Sequence, residues 1–341
     1  MTNRKIRVFS SVPYTEGWST GHYLVDMCAK LLSTDDPKYL WEDTSVLQKL
    51  AGRFRPRKRN PHGDDVIYIS HCTSSVQRIS LIPGWRDQYR NVHVWILDSV
   101  WVERLPTVPL SHLFDKVYIA LGGDLDEYKR ITTTPVEWLP WGTDVLDLGS
   151  DSPDRPTDLQ RYGRQPDNWK NDDELRGLCS DKGLTFKGRI PLSDDLLQQQ
   201  VELMGDHLTK AKFVPAHSNL VDSSTHTHPT KEYFTSRWLD IIGSGAVALG
   251  VQPKSDPLFS EYLWPEAMVD LESTDIGLGM DVLQQSVQRW TPGLVKHNYK
   301  MALERLDWRL RFERIAKDFD AHSEPLEKEL KRLRERIASL D

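Results

Sequence analysis

The sequence predicts an α/β protein of two doubly wound parallel units followed by C-terminal helices. Its length of 341 residues suits two cores at roughly 150 residues per domain. Short apolar runs end in polar loops and alternate with helical stretches in both halves, and a stretch rich in Pro, Asp, Gly and Ser separates them. Apolar residues make up 38% and charged residues 28%, a globular composition. With 44 Lys and Arg against 50 Asp and Glu the formal charge is −6, so an anionic partner would have to be recruited by a local basic patch.

In the first half, Ile6 to Val12 reads as a strand, the Pro13, Gly17 and Gly21 region as a loop, and Tyr23 to Leu32 as a helix. Asp65 to Ser70, Val92 to Leu97 and Lys116 to Ala120 repeat the strand pattern, each followed by a polar loop. The texture changes near Trp138 to Asp144, which places domains at 1–145 and 157–296 with a connection at 146–156. The second half opens with strands at 158–162, 184–189 and 212–216. A helix from Pro229 to Ile242 follows, ended by Gly243 and Gly245 before an apolar strand at 246–251. The tail 297–341 is helical. Leu326, Leu330, Leu333, Ile337 and Leu340 alternate four and three apart, the spacing of an amphipathic helix packed on its own domain or, over 324–340, of a homodimer seam.

Neither glycine cluster supports a dinucleotide site. Gly17-Trp-Ser-Thr-Gly21 follows a strand, where backbone N–H groups approach a phosphate, but its spacing departs from the fingerprint. Gly243-Ser-Gly-Ala-Val-Ala248 has the spacing with helix and strand inverted. The segment 227–250 carries more chemistry. On a helix from Pro229, Glu232 and Asp240 lie close to two turns apart and face one way, and a carboxylate accepts two sugar hydroxyls at once. Arg237 lies on the adjoining stripe, where its planar fork suits phosphate oxygens. A salt-bridged surface stripe is the plain alternative.

Glu232-x7-Asp240 followed by Gly245 and Ala246-Val-Ala248 resembles the donor-binding E-x7-E segment, glycine and apolar strand of glycosyltransferases of the GT-B fold, group 1 or family 4-like. Pro140-Trp-Gly-Thr-Asp144 resembles the P-x-G-x-D segment that ends their acceptor half. Phe186-Lys-Gly-Arg189 resembles the Gly-Arg strand of the donor half, and Trp308-Arg-Leu-Arg-Phe312 the closing helix. The resemblance implies two Rossmann-like domains facing across a cleft and transfer of a hexosyl or pentosyl group from a UDP- or GDP-type nucleotide sugar, with no further cofactor. It implies that Asp240 binds the ribose, Arg237 with Lys187 or Arg189 the diphosphate, and Glu232 the sugar. Gly163 and Arg164 line the cleft, and His228 and Thr230 lie near the diphosphate at the helix start. Asp in place of the second Glu, and no Phe-Gly pair after the first, are departures. The E-x7-D spacing leans to retention of configuration.

On the acceptor side Glu16, His22, His71 and Asp98 follow strands and are the candidate catalytic groups. His71 and Asp98 lead because each closes an apolar run. Gly17 and Trp18 are candidate acceptor contacts. Arg53-Phe-Arg-Pro-Arg-Lys-Arg59 is the strong basic block, expected in a mobile loop where Arg57, Lys58 and Arg59 grip an anionic acceptor such as nucleic acid, a phosphorylated lipid surface or an acidic glycan. No metal is expected. Asp124-Leu-Asp126 has D-x-D spacing in the wrong half, and His217, His226 and His228 with Asp222 lack a third ligand at usual spacing. Cys28, Cys72 and Cys179 are far apart and unpaired by spacing. With no signal or spanning segment read at the start, the expected location is cytoplasmic. An epimerase of the same fold, a sugar phosphorylase lacking an evident pyridoxal lysine, and a non-catalytic assembly protein are the rival readings.

Overall fold

Six parallel strands form the first sheet: β1 (Ile6–Ser10), β2 (Lys38–Tyr39), β3 (Asp65–Cys72), β4 (Val92–Asp98), β5 (Lys116–Ile119) and β6 (Val136–Trp138), in the spatial order β2-β1-β3-β4-β5-β6. The structure is a computed structural model. It describes residues 5–33, 35–221 and 227–341, without the side chains of Glu16, Lys49 and 51–53. His226 and Asp222 lie outside the described residues. The runs Val66 to Ile69 and Val92 to Leu97 are buried on both faces, which is why they read as continuous apolar segments. Tyr68, Val94, Ile96 and Val117 pack with Val76, Ile79 and Leu113 in one core.

The second sheet is also all parallel: β7 (Thr157–Gln160), β8 (Phe186–Lys187), β9 (Ala211–Pro215), β10 (Val247–Gly250) and β11 (Met268–Asp270), ordered β11-β10-β9-β7-β8. Its core gathers Leu159, Trp169, Phe213, Leu249 and Leu283. The two units are Met1–Pro140 with Arg309–Leu330, and Trp141–Trp308 with Lys331–Asp341. The division thus falls before the expected connection at 146–156, and the tail is shared between the units.

Three expectations change. The helix expected from Pro229 runs over Ser236–Gly243. His228 Nδ1 accepts the amides of Thr230 at 3.2 Å and Lys231 at 3.0 Å, and Asn219 Oδ1 accepts that of Tyr233 at 3.2 Å, so N–H groups a helix would use are held in a loop. The expected tail helix breaks into Pro292–Arg305 and Trp308–Asp318. Between them the Leu306 carbonyl accepts Thr143 N and Asp307 accepts Leu146 N at 2.9 Å. Finally, Leu326, Leu330, Leu333 and Leu340 are buried within the chain, so the leucine seam of helix Glu324–Ala338 is filled by its own fold and is not a free dimer surface. Among the described residues no helix is long and apolar enough to cross a membrane.

Candidate functional site

In the second unit β7 runs into Arg161 to Arg164, β8 into Gly188 and Arg189, β9 into His217 and Ser218, and β10 into Val251. These loops share the carboxyl edge of the sheet, where open parallel sheets hold ligands. Arg237, in the first turn of helix Ser236–Gly243, donates to the Arg164 carbonyl and, at 3.3 Å, to the His217 carbonyl. Gly163 has φ +67°, and a Cβ there would lie 2.8 Å from Arg237 Cδ. Glycine therefore supplies both the left-handed turn and the room for the arginine. Thr235 gives the helix no side-chain cap, and the positive end of the helix dipole there suits an anion.

Glu232 ties two loops of this edge together, accepting from the Ser218 hydroxyl and, at 2.7 Å, from the Lys254 amide. It precedes the helix, so it shares no helical face with Asp240. Asp240 is fully buried and accepts from Thr143 Oγ1 at 2.8 Å, Gln200 Nε2 at 3.0 Å and Tyr162 Oη at 3.3 Å. Burial and this carboxylate push the Tyr162 hydroxyl well above its usual range. So enclosed, Asp240 orders the helix and does not present its oxygens to a ribose. Lys187 and Arg189 end the edge strand β8 in solvent, the Arg189 amide held by Asp172 at 3.0 Å. Thr230 is exposed, whereas His228 is buried with Nδ1 committed to the loop amides. His217 is buried against Trp169 at 5.2 Å. Burial, with the charge of Arg237, lowers its ring to about 3, so it is neutral near pH 7.

In the first unit the carboxyl edge brings together Ser11, His71, Cys72 and Asp98. His71 and Cys72 belong to β3 itself, and Cys72 is paired in register with Asp98 at the end of β4. His71 Nδ1 lies 3.3 Å from Ser11 Oγ and Nε2 3.2 Å from Cys72 Sγ, with Trp18 edge-on at 5.7 Å. Burial raises the Cys72 thiol, but hydrogen bonds with His71, Ser74 and Ser75 and the charge of His71 outweigh it and bring it down to about 6. Cys72 is the residue the sequence reading missed. Its signal is His-Cys adjacency at a strand end, where neighbouring side chains ordinarily point apart, followed by two serines. Thr44, His71, Ser74 and Arg78 help line a cavity of about 250 Å³.

His22 does not stay in a loop. It lies on helix Ser19–Leu32, buried, with Nδ1 3.2 Å from Tyr39 Oη and Nε2 3.0 Å from the Pro13 carbonyl. Burial lowers its pKa against the opposing Pro13 carbonyl. At 3% exposure and held between Tyr39 and the Pro13 carbonyl, it is a packing residue. Glu16 opens the turn Glu16–Trp18, and its side chain lies outside the described residues. A Cβ at Gly17 would meet nothing within 4 Å, whereas one at Gly21 would press on the Trp18 and Val12 side chains at 3.0 Å, so packing is tight at 21 and open at 17.

The basic block departs furthest from expectation. The Arg57 side chain is 3% exposed; it pairs with Asp115 and donates to the Tyr89 carbonyl at 2.8 Å and the Arg90 carbonyl at 3.2 Å. Arg59 reaches Asp115 at 2.7 Å. Asp115 also accepts the Val92 amide at 2.8 Å, which places this cluster at the amino end of β4, opposite the edge that carries His71 and Asp98. Backbone bonds from Arg57, Lys58 and Asn60 to His112, Arg86 and Tyr89 pin the loop. Arg57 is thus a structural ion-pair residue, and the block does not grip a substrate at the carboxyl edge.

No family model and no curated protein matches the sequence. Among solved structures the chain is similar to HepE of Anabaena in complex with UDP and glucose, with a TM-score of 0.56 and 9% identity over 93% of this chain and 100% of that one. HepE with UDP-glucose gives 0.53 and 9% identity over 92% and 99%. A glycosyltransferase from Rickettsia africae gives 0.53 and 9% over 93% and 98%. The fold is GT-B.

Proposed function

We propose that the chain is a glycosyltransferase whose second unit binds a UDP- or GDP-type sugar and whose first unit binds the acceptor. The observation that carries this reading is the arginine cradle at the second carboxyl edge: Gly163 in a left-handed turn against Arg237, beside an uncapped helix start. Support comes from its fold, shared with HepE, whose structures hold UDP and UDP-glucose. Arg237 and the helix dipole meet the charge of the departing diphosphate, with Lys187 and Arg189 adding positive potential at the end of β8, in a metal-independent transfer. Glu232 faces the transferred sugar from its loop, and Asp240 acts as a positioning residue. In the first unit His71 leads as the group that takes the acceptor proton, with Asp98 beside it.

The test is a thermal-shift panel of UDP, GDP, TDP, ADP, CMP, their sugars and NAD. A ligand at about 100 times its dissociation constant adds roughly 2.7 kcal/mol. A clear shift with one nucleoside diphosphate supports the reading and names the donor; a shift with NAD alone overturns it.

A further inference from the structure

The helix Val46–Phe54 in the first unit turns its described apolar side chains outward. Ser45 and Gln48 form a capping box, with Ser45 N donating to Gln48 Oε1 at 2.7 Å and Gln48 N to Ser45 Oγ at 3.3 Å. Val46, Leu47, Leu50 and Phe54 then fall within about 100° of one another around the helix. They are 71%, 78%, 45% and 72% exposed, while Gln48 is half-buried. A helix that packs on its own core shows the reverse pattern. Trp41 extends the apolar surface from the chain just before the helix. It is 52% exposed, fixed by its Nε1 donating to the Val12 carbonyl at 3.0 Å and stacked on Tyr39 at 5.3 Å. An exposed apolar patch of this kind on a soluble chain marks an interaction surface.

The charge next to it selects the partner. Arg55, Lys58 and Arg59 follow the helix and are exposed, and the loop that carries them is pinned by Lys58 N to the Arg86 carbonyl at 2.7 Å and Asn60 N to the Tyr89 carbonyl at 3.0 Å. Nearby acids are partly spent: Asp115 pairs with Arg57 and Arg59, and Asp43 with Arg78 at 2.9 Å, leaving Glu42 exposed before the helix. In a chain of net charge −6, a basic cluster continuing an exposed apolar stripe has the composition of a helix that lies in a lipid interface. Its apolar face enters the acyl boundary and its cations meet anionic headgroups. At nine residues the helix is far too short to span.

We propose that the helix Val46–Phe54 and the basic residues Arg55, Lys58 and Arg59 dock the first unit on an anionic lipid bilayer surface. The full chain is sedimented with phosphatidylcholine vesicles, with and without about 30% phosphatidylglycerol. Binding is expected to the anionic vesicles and to fall when NaCl rises to about 1 M. Leu47→Asp with Leu50→Asp should lower the partition coefficient about 100-fold, and Arg55→Glu with Lys58→Glu about 10-fold, both variants melting like the parent because the replaced side chains are exposed. Four results would overturn the proposal: no binding to either vesicle, equal binding to both, unchanged binding by the leucine variant, or a dimer that the leucine variant dissolves, which would assign the stripe to a second copy of this chain.

Discussion

Replacing Gly163 with alanine separates the cost of a backbone conformation from the loss of a site. At φ +67° an alanine costs about 1–2 kcal/mol relative to glycine, or roughly 2–8 °C in melting temperature for a unit of this size. The added Cβ would also lie 2.8 Å from Arg237 Cδ. That side chain is flexible, so it moves at little cost to stability, but its guanidinium leaves the Arg164 and His217 carbonyls. A charge-assisted hydrogen bond to phosphate is worth about 1.5–3 kcal/mol, so UDP affinity should fall about 10- to 100-fold. Gly183 is the internal control, with the same φ of +67° and nothing within 4 Å of its Cβ. Scanning fluorimetry should show similar melting losses for Gly163→Ala and Gly183→Ala, and calorimetry with UDP should show weakened binding only in the first. Equal UDP affinity in the two variants refutes the assignment of Arg237 to the diphosphate.

Asp240→Ala should destabilise by about 3 kcal/mol in urea unfolding, since it strands the buried donors Thr143, Gln200 and Tyr162; a change under about 0.5 kcal/mol contradicts its structural role. Arg57→Ala should cost about 2–4 kcal/mol and Arg59→Ala under 1, because the first removes a buried guanidinium shared by Asp115 and the Tyr89 and Arg90 carbonyls while the second removes a 64% exposed side chain. Mass spectrometry after iodoacetamide should find Cys72 alkylated at a rate that climbs with pH around about 6 and levels off above it, since the thiolate forms there. His71→Ala should move that midpoint upward. Burial raises the Cys28 and Cys179 thiols instead, Cys179 to about 11, so both should stay unmodified in the folded chain.

The central strands were legible because burial on both faces of a parallel sheet forces continuous apolar runs, as in Val66 to Ile69 and Val92 to Leu97. The short strands Lys38–Tyr39, Val136–Trp138 and Met268–Asp270, each at a sheet edge, carry too few apolar residues to announce themselves. The 229–242 stretch misled for a different reason. Proline and spacing suggested a helix, but His228 and Asn219 take up the amides that would start it, and such long-range or local side-chain competition leaves no periodic trace. Arg237 and the Gly163 turn were readable as types suited to phosphate. The burial of Asp240, His22 and Arg57 was not, because sequence shows a polar residue's chemistry and not which neighbours enclose it. A run of cations likewise reads as a binding patch whether or not Asp115 neutralises part of it.

Hydrogen–deuterium exchange of the full chain with saturating UDP tests the donor-site assignment most directly, because it reports where the nucleotide lies. Protection is expected in the loop after β7 at 161–164, in the loop after β9 at 216–219, and in the first turn of the helix at 235–238. No protection at these segments, or protection confined to the first unit, would contradict a nucleotide site built on Gly163 and Arg237.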